Sequence, residues 1–469
     1  MNKTRTNALL VLAVAVLGSS AALAQSGSNR VDELRDRLAW LDAETTRVED
    51  IIAIQRLQRA FGYYLDKGYF GEAAALFADD GQVQYGVDGV YIGQNRIQEL
   101  FTRHGGGSTN AGPGLPFGRF NMHMQLQPMI TVADDGESAQ GRWRDWAMLG
   151  NYQQAIEWGD AVLENDYVKA DGVWKISQMR YYTNFVAPYE GGWAKLENVR
   201  GDWATQVSAE FPPDEASPVR YQPFPSLFVP PFHYDNDLTA IQSTVPLPTQ
   251  ARPDDALGRL EAMADAQAHK LARASSLRAI ENLQAMYGYY VDKGLWEDAA
   301  SLFTDDGTWE SGRSGVYIGR DSIERGLSLM GPEGLEYGQL NNYPMLQPII
   351  TVAEDNMTAK GRWRSDVMLA RDGEGQWGGG VYENEYVNDD GTWKISKQLY
   401  YVVFWADYDI GFSARGAIPM DPPSTTNPPD APSTVDYESL PNIYIIPFHF
   451  DHPVTGEPHS YLDGGDEYE

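Results

Sequence analysis

The sequence predicts an α+β protein made of two consecutive copies of one domain. Two motifs show the duplication, because Val90–Gly93 returns as Val316–Gly319 and Trp174–Ser177 returns as Trp393–Ser396. The repeated unit is about 220 residues long, which is the size of a whole domain and far longer than a solenoid repeat. Within each copy, helical spacing of apolar residues comes first and strand alternation follows, an order typical of α+β domains.

Each copy opens with a predicted helical lead-in. Between positions 30 and 60 the apolar residues recur mostly at three- and four-residue spacing, which indicates a helix. We expect this helix to be interrupted near Thr45–Thr46, and the segment from Leu257 to Leu283 repeats the pattern. A short helix is predicted next in each copy, at Gly71–Phe77 and Trp296–Phe303, and an Asp-Asp-Gly turn is expected to end it.

The remainder of each copy has the pattern of an antiparallel sheet. In the first copy, period-two alternation and Asp/Gly turns predict five strands. These are Gln82–Tyr85, Gln125–Ala133, Ser138–Leu149, Ala161–Lys169 and Val173–Tyr182. Proline-rich segments at 211–231 and 419–447 follow the sheets and predict an extended arm that closes each domain.

The N-terminus has the pattern of a secretory signal peptide. A cationic start at Lys3 and Arg5 precedes an apolar run, Ala8–Leu17, and a small-residue exit, Ala22–Ala24. We expect a signal peptide at residues 1–24 and a periplasmic or secreted protein of bacterial type. The other expected segments are a helical lead-in at 25–46, the first domain with its arm at 47–235, a linker at 236–255, and the second lead-in, domain and arm at 256–469.

Composition argues against several classes of function. The formal net charge of −30 argues strongly against nucleic acid or an anionic membrane surface as a partner. The chain has no cysteine, so disulfides, thiol nucleophiles and thiolate metal sites are excluded. No apolar run after the signal peptide reaches membrane-spanning length. No glycine-rich phosphate loop, nucleophile elbow or zinc-binding His-Glu-x-x-His helix occurs, so we expect no cofactor and no metal.

Five short motifs occur in the same order in both copies. They are Tyr-x-x-Asp-x-Gly, Leu-Phe-x-Asp-Asp-Gly, Tyr-Ile-Gly, Gln-Pro-x-Ile-Thr-Val and Gly-x-Trp-Lys-Ile. In this order they resemble the SnoaL-like members of the nuclear transport factor 2-like superfamily, which includes scytalone dehydratase and lindane dehydrochlorinase. The resemblance covers residues 47–185 and 273–405. It implies a cone-shaped α+β barrel, in which helices close a strongly curved sheet around a deep pocket, and an intramolecular pseudo-dimer of the two repeats.

The same resemblance implies an acid–base pair in the first copy. In the catalytic relatives a carboxylate at the end of the first helix orients a histidine on a strand, and the matching residues here are Asp66 and His123. The second copy keeps the carboxylate as Asp292 but has Tyr343 in place of the histidine. Two other interpretations stay open, since Asp66 could cap the turn that follows it and His123 could be an ordinary core residue.

A cationic helper is the third residue that the resemblance implies. Arg180 matches an arginine on the last strand of the dehydrochlorinase, where it would stabilise an oxyanion or a leaving halide. The second copy has Leu399 at this position. The lysine that precedes the aspartate in that enzyme is missing, because Phe61 and Tyr287 lie in that region, which argues against dehydrohalogenation. The alternative for Arg180 is a structural ion pair.

Aromatic residues are candidates for the wall of a ligand pocket, although large aromatics are also ordinary core material. The candidates are Tyr63, Tyr64, Tyr85, Trp143 and Trp146. His233 and His449 recur in the two arms, each with an aspartate two residues later, and we expect an arm contact there rather than a metal site.

Together these patterns predict an exported, cofactor-independent enzyme. We expect lyase chemistry of the dehydratase type, or isomerase chemistry, on a hydrophobic aromatic or polycyclic small molecule. The main alternative is a protein that uses the same pockets for small-molecule binding or assembly without catalysis. A hydrolase or lyase acting on polysaccharide is a third possibility, but the family's closed pocket argues against it.

Overall fold

The computed structural model describes residues 27–106, 114–190, 211–226, 228–234, 256–371, 373–411 and 418–459. The chain divides into two compact units, one formed by 1–46 with 241–271 and the other by 47–240 with 272–469. The signal peptide expected at 1–24 and the linker expected at 236–255 lie outside the described residues.

Within the described residues, the first repeat consists of three helices and a six-stranded sheet, and its first helix begins in the smaller unit. The elements are α1 (Gly27–Lys67), α2 (Phe70–Ala75), β1 (Phe77–Tyr85), β2 (Gly89–Ile92), α3 (Gln94–His104), β3 (Arg119–Val132), β4 (Ser138–Asn151), β5 (Ala155–Ala170) and β6 (Val173–Pro188). The strand order is β2-β1-β6-β5-β4-β3. Neighbouring strands are antiparallel, except that β1 and β6 run parallel.

The second repeat has the same order of elements. They are α4 (Ala256–Asp292), α5 (Trp296–Ser301), β7 (Phe303–Ser311), β8 (Val316–Ile318), α6 (Arg320–Leu327), β9 (Leu340–Asn342), β10 (Leu346–Val352), β11 (Thr358–Arg371), β12 (Glu374–Asp389) and β13 (Thr392–Asp407). Its sheet has the order β10-β11-β12-β13-β7-β8, with β9 paired to β11. The prediction of two tandem α+β domains is confirmed.

The turn chemistry of the sequence explains the hairpin between β5 and β6. Asp171 and Gly172 adopt φ angles of 52° and 79°, and a tight turn with two consecutive positive φ angles suits the right-handed twist of an antiparallel hairpin. Asp390 and Gly391 repeat the turn in the second copy, with φ angles of 48° and 86°. The Asp-Gly pairs therefore set the register of the long strands that follow them.

The expected interruption of the first helix is wrong. Helix α1 is continuous from Gly27 to Lys67. Thr45 is accommodated because its Oγ1 donates to the carbonyl of Leu41, one turn earlier, at 2.7 Å. In the smaller unit, the same hydroxyl lies 2.5 Å from Oε1 of Gln267 on α4, and Gln267 Nε2 donates to Asp42 at 2.5 Å.

Several strand boundaries also differ from the prediction, since β5 begins at Ala155 and β6 extends to Pro188. The first Asp-Asp-Gly segment lies inside β1 instead of ending a helix, because the pairing of β1 with β6 shifts register between Phe77 and Gln82 and absorbs it as an irregularity. Strand β3 begins at Arg119, six residues before the expected start. Successive side chains of a strand point to opposite faces, so this longer strand places Phe120 and Met122 on one face of the sheet and His123 on the other.

Candidate active site

A small cavity lies inside the first repeat between α1, α3 and the sheet. Its apolar wall includes Phe61 and Leu65 of α1, which are one helical turn apart, and Phe101 of α3. Its polar groups are Tyr85, His104, Asn121, His123, Asp145 and Tyr181. The cavity has a volume of about 30 Å³, far below the several hundred cubic ångströms, on the order of 300 Å³ or more, of a pocket for a drug-sized ligand.

Close packing of α1 on β3 places the histidine at this cavity. Gly62 is the contact point, because a Cβ atom at this position would lie only 2.6 Å from the carbonyl oxygen of His123. A side chain at position 62 would therefore push the helix away from the strand.

The central polar contact joins neighbouring strands. His123 Nδ1 on β3 lies 3.0 Å from Oδ2 of Asp145 on β4. The same carboxylate accepts from the hydroxyl of Tyr181 at 2.9 Å and, through Oδ1, from Nε2 of Gln125 at 2.9 Å. Asp145 is buried, so three hydrogen bonds hold its carboxylate in one orientation.

This arrangement determines what the imidazole can do. When Nδ1 carries the proton that it donates to Asp145, Nε2 is the nitrogen left to exchange a proton with a molecule in the cavity. The carboxylate also stabilises the imidazolium that forms when Nε2 is protonated. The pair therefore has the geometry of an oriented general acid–base group.

Asp66 is not the partner of the His123 imidazole, which corrects the expected pairing. Asp66 Oδ1 accepts from the backbone amide of His123 at 2.6 Å, and its Oδ2 forms an ion pair with Arg364 of the second repeat. Asp292 accepts from the amide of Tyr343 at 2.5 Å in the same way. The aspartate thus anchors the backbone at the equivalent position in both repeats, on strand β3 in the first and just after β9 in the second.

Arg180 also lies away from the cavity. Along β6, Met179 and Tyr181 line the cavity, and the intervening residue must face the other side of the sheet. Arg180 Nη2 there donates to Asp166 Oδ2 at 2.7 Å. Arg180, expected to stabilise an oxyanion or a leaving halide, instead forms a structural ion pair, which was the alternative interpretation of this residue.

Of the five aromatic candidates, only Tyr85 is among the described residues that line the cavity. Tyr63 donates to the carbonyl of Gln347 at 2.9 Å, and the Tyr64 hydroxyl lies 2.7 Å from Nε2 of His459. Both of these tyrosines therefore contact the second repeat. Trp143 donates to Tyr167 in the core at 2.9 Å, and the ring of Trp146 packs 5.6 Å from that of Trp158.

Four polar groups of the cavity were not predicted, namely His104, Asn121, Asp145 and Tyr181. Asp145 carried a signal, because it lies two residues after Trp143 and so shares its face of β4. His104 carried none, since it ends α3 and no motif marks it. Burial, with the nearby His123 and Arg119 charges, lowers the pKa of His104 to about 3, so its imidazole is neutral near pH 7. Its ring lies 4.5 Å from that of Tyr85.

The interior of the second repeat has a different chemistry. Tyr343 takes the place of His123, and Ser365 takes the place of Asp145. Tyr382 and Tyr400 pack with their rings 4.4 Å apart, and burial raises the pKa of both hydroxyls above the ordinary range. Tyrosines and serine thus replace the imidazole–carboxylate pair.

The arm histidines make equivalent structural contacts. His233 Nδ1 lies 2.9 Å from Glu164 Oε2, and His449 Nδ1 lies 2.8 Å from Glu383 Oε2. These are arm-to-sheet contacts. Within the part of the chain that the structure describes, no group of three or more histidine or acidic side chains is arranged to hold a metal ion.

The order of elements, the duplicated sheets and the interior cavity agree with one family of domains. The sequence profile of the SnoaL-like domain matches residues 46–180 and 272–398, which is more than half of the chain. The chain belongs to the SnoaL-like family. Both SnoaL-like segments contain the helix-end aspartate, and the first also contains His123 and Asp145.

Several solved structures are similar to one SnoaL-like repeat. A putative scytalone dehydratase from Novosphingobium aromaticivorans is 22% identical, with 29% of this chain and 90% of that chain covered and a TM-score of 0.26. A protein like nuclear transport factor 2 from the same organism is 20% identical, covering 32% and 91%, with a TM-score of 0.25. A type 2 hexachlorocyclohexane dehydrochlorinase is 22% identical, covering 31% and 92%, with a TM-score of 0.27.

No curated protein matches the SnoaL-like chain significantly. Among the described helices, none combines the length and the apolar character that a membrane crossing requires.

Proposed function

We propose that the first SnoaL-like repeat catalyses a cofactor-independent lyase reaction of the dehydratase type, or an isomerisation, on a hydrophobic aromatic small molecule. The observation that carries this proposal is the His123–Asp145 pair at the polar end of a cavity with aromatic walls. His123 is the general acid–base residue. Asp145 is the positioning residue that orients it.

The reaction begins with removal of a proton from a carbon next to a carbonyl or an aromatic ring. His123 Nε2 accepts this proton, and Asp145 stabilises the resulting imidazolium. In an elimination, the same proton is delivered to a departing hydroxyl, which leaves as water while the electron pair of the broken C–H bond forms the new double bond. In an isomerisation, the proton returns to a different carbon of the same molecule. Both the elimination and the isomerisation balance without an oxidant or a reductant.

Neutral hydrogen-bond donors are the best candidates for stabilising a developing oxyanion in this cavity. The imidazole of His104 stays uncharged because its pKa is lowered, and the hydroxyl of Tyr85 belongs to the same lining. We assign them this role in place of Arg180. A neutral donor avoids the cost of a second buried charge beside the imidazolium.

The small volume of the cavity constrains the substrate. A space of about 30 Å³ does not admit an aromatic ring unless the walls move. We therefore propose a compact substrate with one ring, and we expect its entry to displace the Phe61 or Phe101 side chain. A polycyclic substrate would require a larger rearrangement.

Export to the periplasm or the cell exterior is part of the proposal and rests on the residues at positions 1–24. Its support is the cationic start at Lys3 and Arg5, the apolar run that follows and the small-residue exit.

A non-catalytic role in small-molecule binding or assembly is the second candidate function. The tyrosines that fill the interior of the second repeat favour it, because that repeat lacks the acid–base pair. One experiment separates the two functions, since proton exchange requires the imidazole and simple binding does not.

The experiment measures deuterium uptake from heavy water into a panel of aromatic ketones and phenols by mass spectrometry. We expect wild-type protein to label at least one compound, and His123→Gln to abolish the labelling. Tyr343→Phe, at the equivalent position of the second repeat, is the matched control and should label at the wild-type rate. If His123→Gln labels normally, the acid–base proposal is wrong. If nothing is labelled but compounds raise the melting temperature, the binding role replaces it.

A further inference from the structure

Part of the contact between the two repeats joins surfaces that are not equivalent. In the larger unit, Arg364 of the second repeat forms a buried ion pair with Asp66 of the first. The ring of Tyr63 in the first repeat lies 4.7 Å from the guanidinium of Arg362 and 5.0 Å from that of Arg364. Phe448, in the second arm, packs 5.5 Å from the ring of Tyr64. In these contacts the second repeat uses its sheet and arm, and the first uses its helix. The two sheets also meet, with the rings of Trp158 and Trp377 5.6 Å apart.

We call these two surfaces the arm face and the helix face. The arm face contains the two arginines of the Gly-Arg-Trp-Arg motif and the Pro-Phe-His segment of the arm. These are Arg142, Arg144 and Pro231–His233 in the first repeat, and Arg362, Arg364 and Pro447–His449 in the second. The helix face contains the Tyr-Tyr-x-Asp segment at the end of the long helix, which is Tyr63–Asp66 in the first repeat and Tyr289–Asp292 in the second. It also contains the start of strand β3, at Phe120, in the first repeat and the start of strand β9, at Leu340, in the second. Because the sequence is duplicated, each repeat has one of each.

The first arginine of the motif makes the same internal contacts in the arm faces of both repeats. Arg142 pairs with Glu164, donates to the carbonyl of Pro231 at 3.1 Å and lies 4.1 Å from the ring of Phe232. In the second repeat, Arg362 pairs with Glu383, donates to the carbonyl of Pro447 at 3.1 Å and lies 4.4 Å from the ring of Phe448. The binding surface is therefore preformed in both repeats.

The difference between the two arm faces is exposure. Phe448 is 7% exposed because it contacts the first repeat, whereas Phe232 is 54% exposed. Leu440 is buried, whereas Phe224, which precedes the equivalent proline, is exposed. The arm face of the first repeat thus presents to solvent the side chains that the second repeat buries.

The helix faces show the opposite difference. Tyr63 in the first repeat is 1% exposed and its counterpart Tyr289 is 72% exposed. Phe120 is 4% exposed and its counterpart Leu340 is 44% exposed. Asp292 occupies the position of Asp66 and is half-buried. An unmatched arm face and an unmatched helix face of complementary chemistry are thus present in one molecule.

We infer that the arm face of the first repeat binds the helix face of the second repeat of another copy of this chain. The contact reproduces the internal one, so Arg144 pairs with Asp292 as Arg364 pairs with Asp66, and Tyr289 packs against Arg142 and Arg144. Such a contact joins two different surfaces, and every copy carries both. Copies therefore associate head to tail, which gives a closed ring when the rotation closes and a longer assembly when it does not.

The charges of the first arm face are compatible with this contact. Arg144 Nη1 donates to both oxygens of Asp160 at 2.8 Å, and its side chain is still 40% exposed. Its remaining donors can reach an additional carboxylate. The large exposed aromatics supply apolar area around the ion pair, the composition expected at the centre of a protein interface.

The test uses two full-length variants, Arg144→Asp and Asp292→Arg, and measures mass in solution by light scattering over a range of concentrations. Wild-type protein should associate beyond the monomer. Each variant alone places like charges opposite each other, so its association should weaken by at least about a hundredfold. An equimolar mixture of the two variants should associate again. At one contact the new aspartate at position 144 meets the new arginine at position 292, and at the next contact the native Arg144 meets the native Asp292.

Glu137→Arg, in the exposed turn between β3 and β4, makes the same charge change as Asp292→Arg and serves as the control. It should associate like wild type. A wild-type protein that stays monomeric throughout the concentration range overturns the inference. So does an assembly that neither single variant weakens, or a mixture that stays monomeric while both variants keep their far-ultraviolet circular dichroism and melting temperature.

Discussion

His123 Nδ1 lies 3.0 Å from Asp145 Oδ2, although the two residues belong to different strands and no shared motif joins them. The pairing of β3 with β4 places Gln125 opposite Asp145 and His123 opposite Ala147, so the histidine reaches the carboxylate diagonally across the sheet. This contact, and not the helix-end aspartate, orients the imidazole.

Replacing Asp145 by asparagine should therefore impair proton transfer without removing the cavity. The amide keeps the size of the side chain but no longer stabilises an imidazolium, so we expect the deuterium-exchange rate to fall by roughly a hundredfold or more. The rate is measured by mass spectrometry on any compound that the wild type labels. An exchange rate within a factor of about two of wild type would show that Asp145 does not orient the base.

Replacing Asp66 by alanine should mainly reduce stability. The change leaves the buried Arg364 guanidinium without its carboxylate and the His123 amide without its acceptor. We expect the free energy of unfolding to fall by about 3–5 kcal/mol in urea titrations.

Asp292→Ala is the matched control for this stability effect. Within one copy of the chain it removes the hydrogen bond to the Tyr343 amide, so it should cost about 1 kcal/mol at concentrations where the protein is monomeric. Equal losses for the two variants would mean that the ion pair with Arg364 contributes no stability.

Acidification should destabilise the protein in part through His104. Its pKa is lowered to about 3 in the folded state, compared with about 6.5 in an unfolded chain. Between these values the unfolded state binds more protons, so this residue's contribution to stability falls as the pH decreases from about 6.5 towards 3.

The variant His104→Phe removes this titration and keeps a ring beside Tyr85. Urea unfolding at neutral pH and near pH 5 should show a smaller loss of stability for the variant than for wild type. If both proteins lose the same free energy on acidification, His104 is not held neutral in the folded state.

Much of the fold was predictable because it depends on local patterns. The β6 strand starts at Val173 as expected, since Asp171 and Gly172 supply the positive φ angles of the turn. The continuity of helix α1 through Thr45 was not predictable in the same way, because a threonine hydroxyl that bonds to a carbonyl one turn earlier leaves no distinct signal in the sequence.

The candidate site was predictable only in part. His123 was found through the order of the surrounding motifs. Asp145 was missed although its alternation with Trp143 placed it on an inward face, because alternation specifies the face and not the neighbour. Arg180 was misplaced for a related reason. The resemblance identified the correct strand, but Arg180 is one residue from the cavity-lining Tyr181 and therefore lies on the opposite face of the sheet.

The sequence by itself determined that this chain has two SnoaL-like α+β repeats and that only the first carries a histidine at position 123. These properties follow from repeated motifs and from periods of two and 3.6 residues, which are local. Only the tertiary structure decided that Asp145 orients His123 while Asp66 anchors a strand and pairs with Arg364. These partners depend on strand register and on how one repeat packs against the other, and both are set by contacts between residues far apart in the chain.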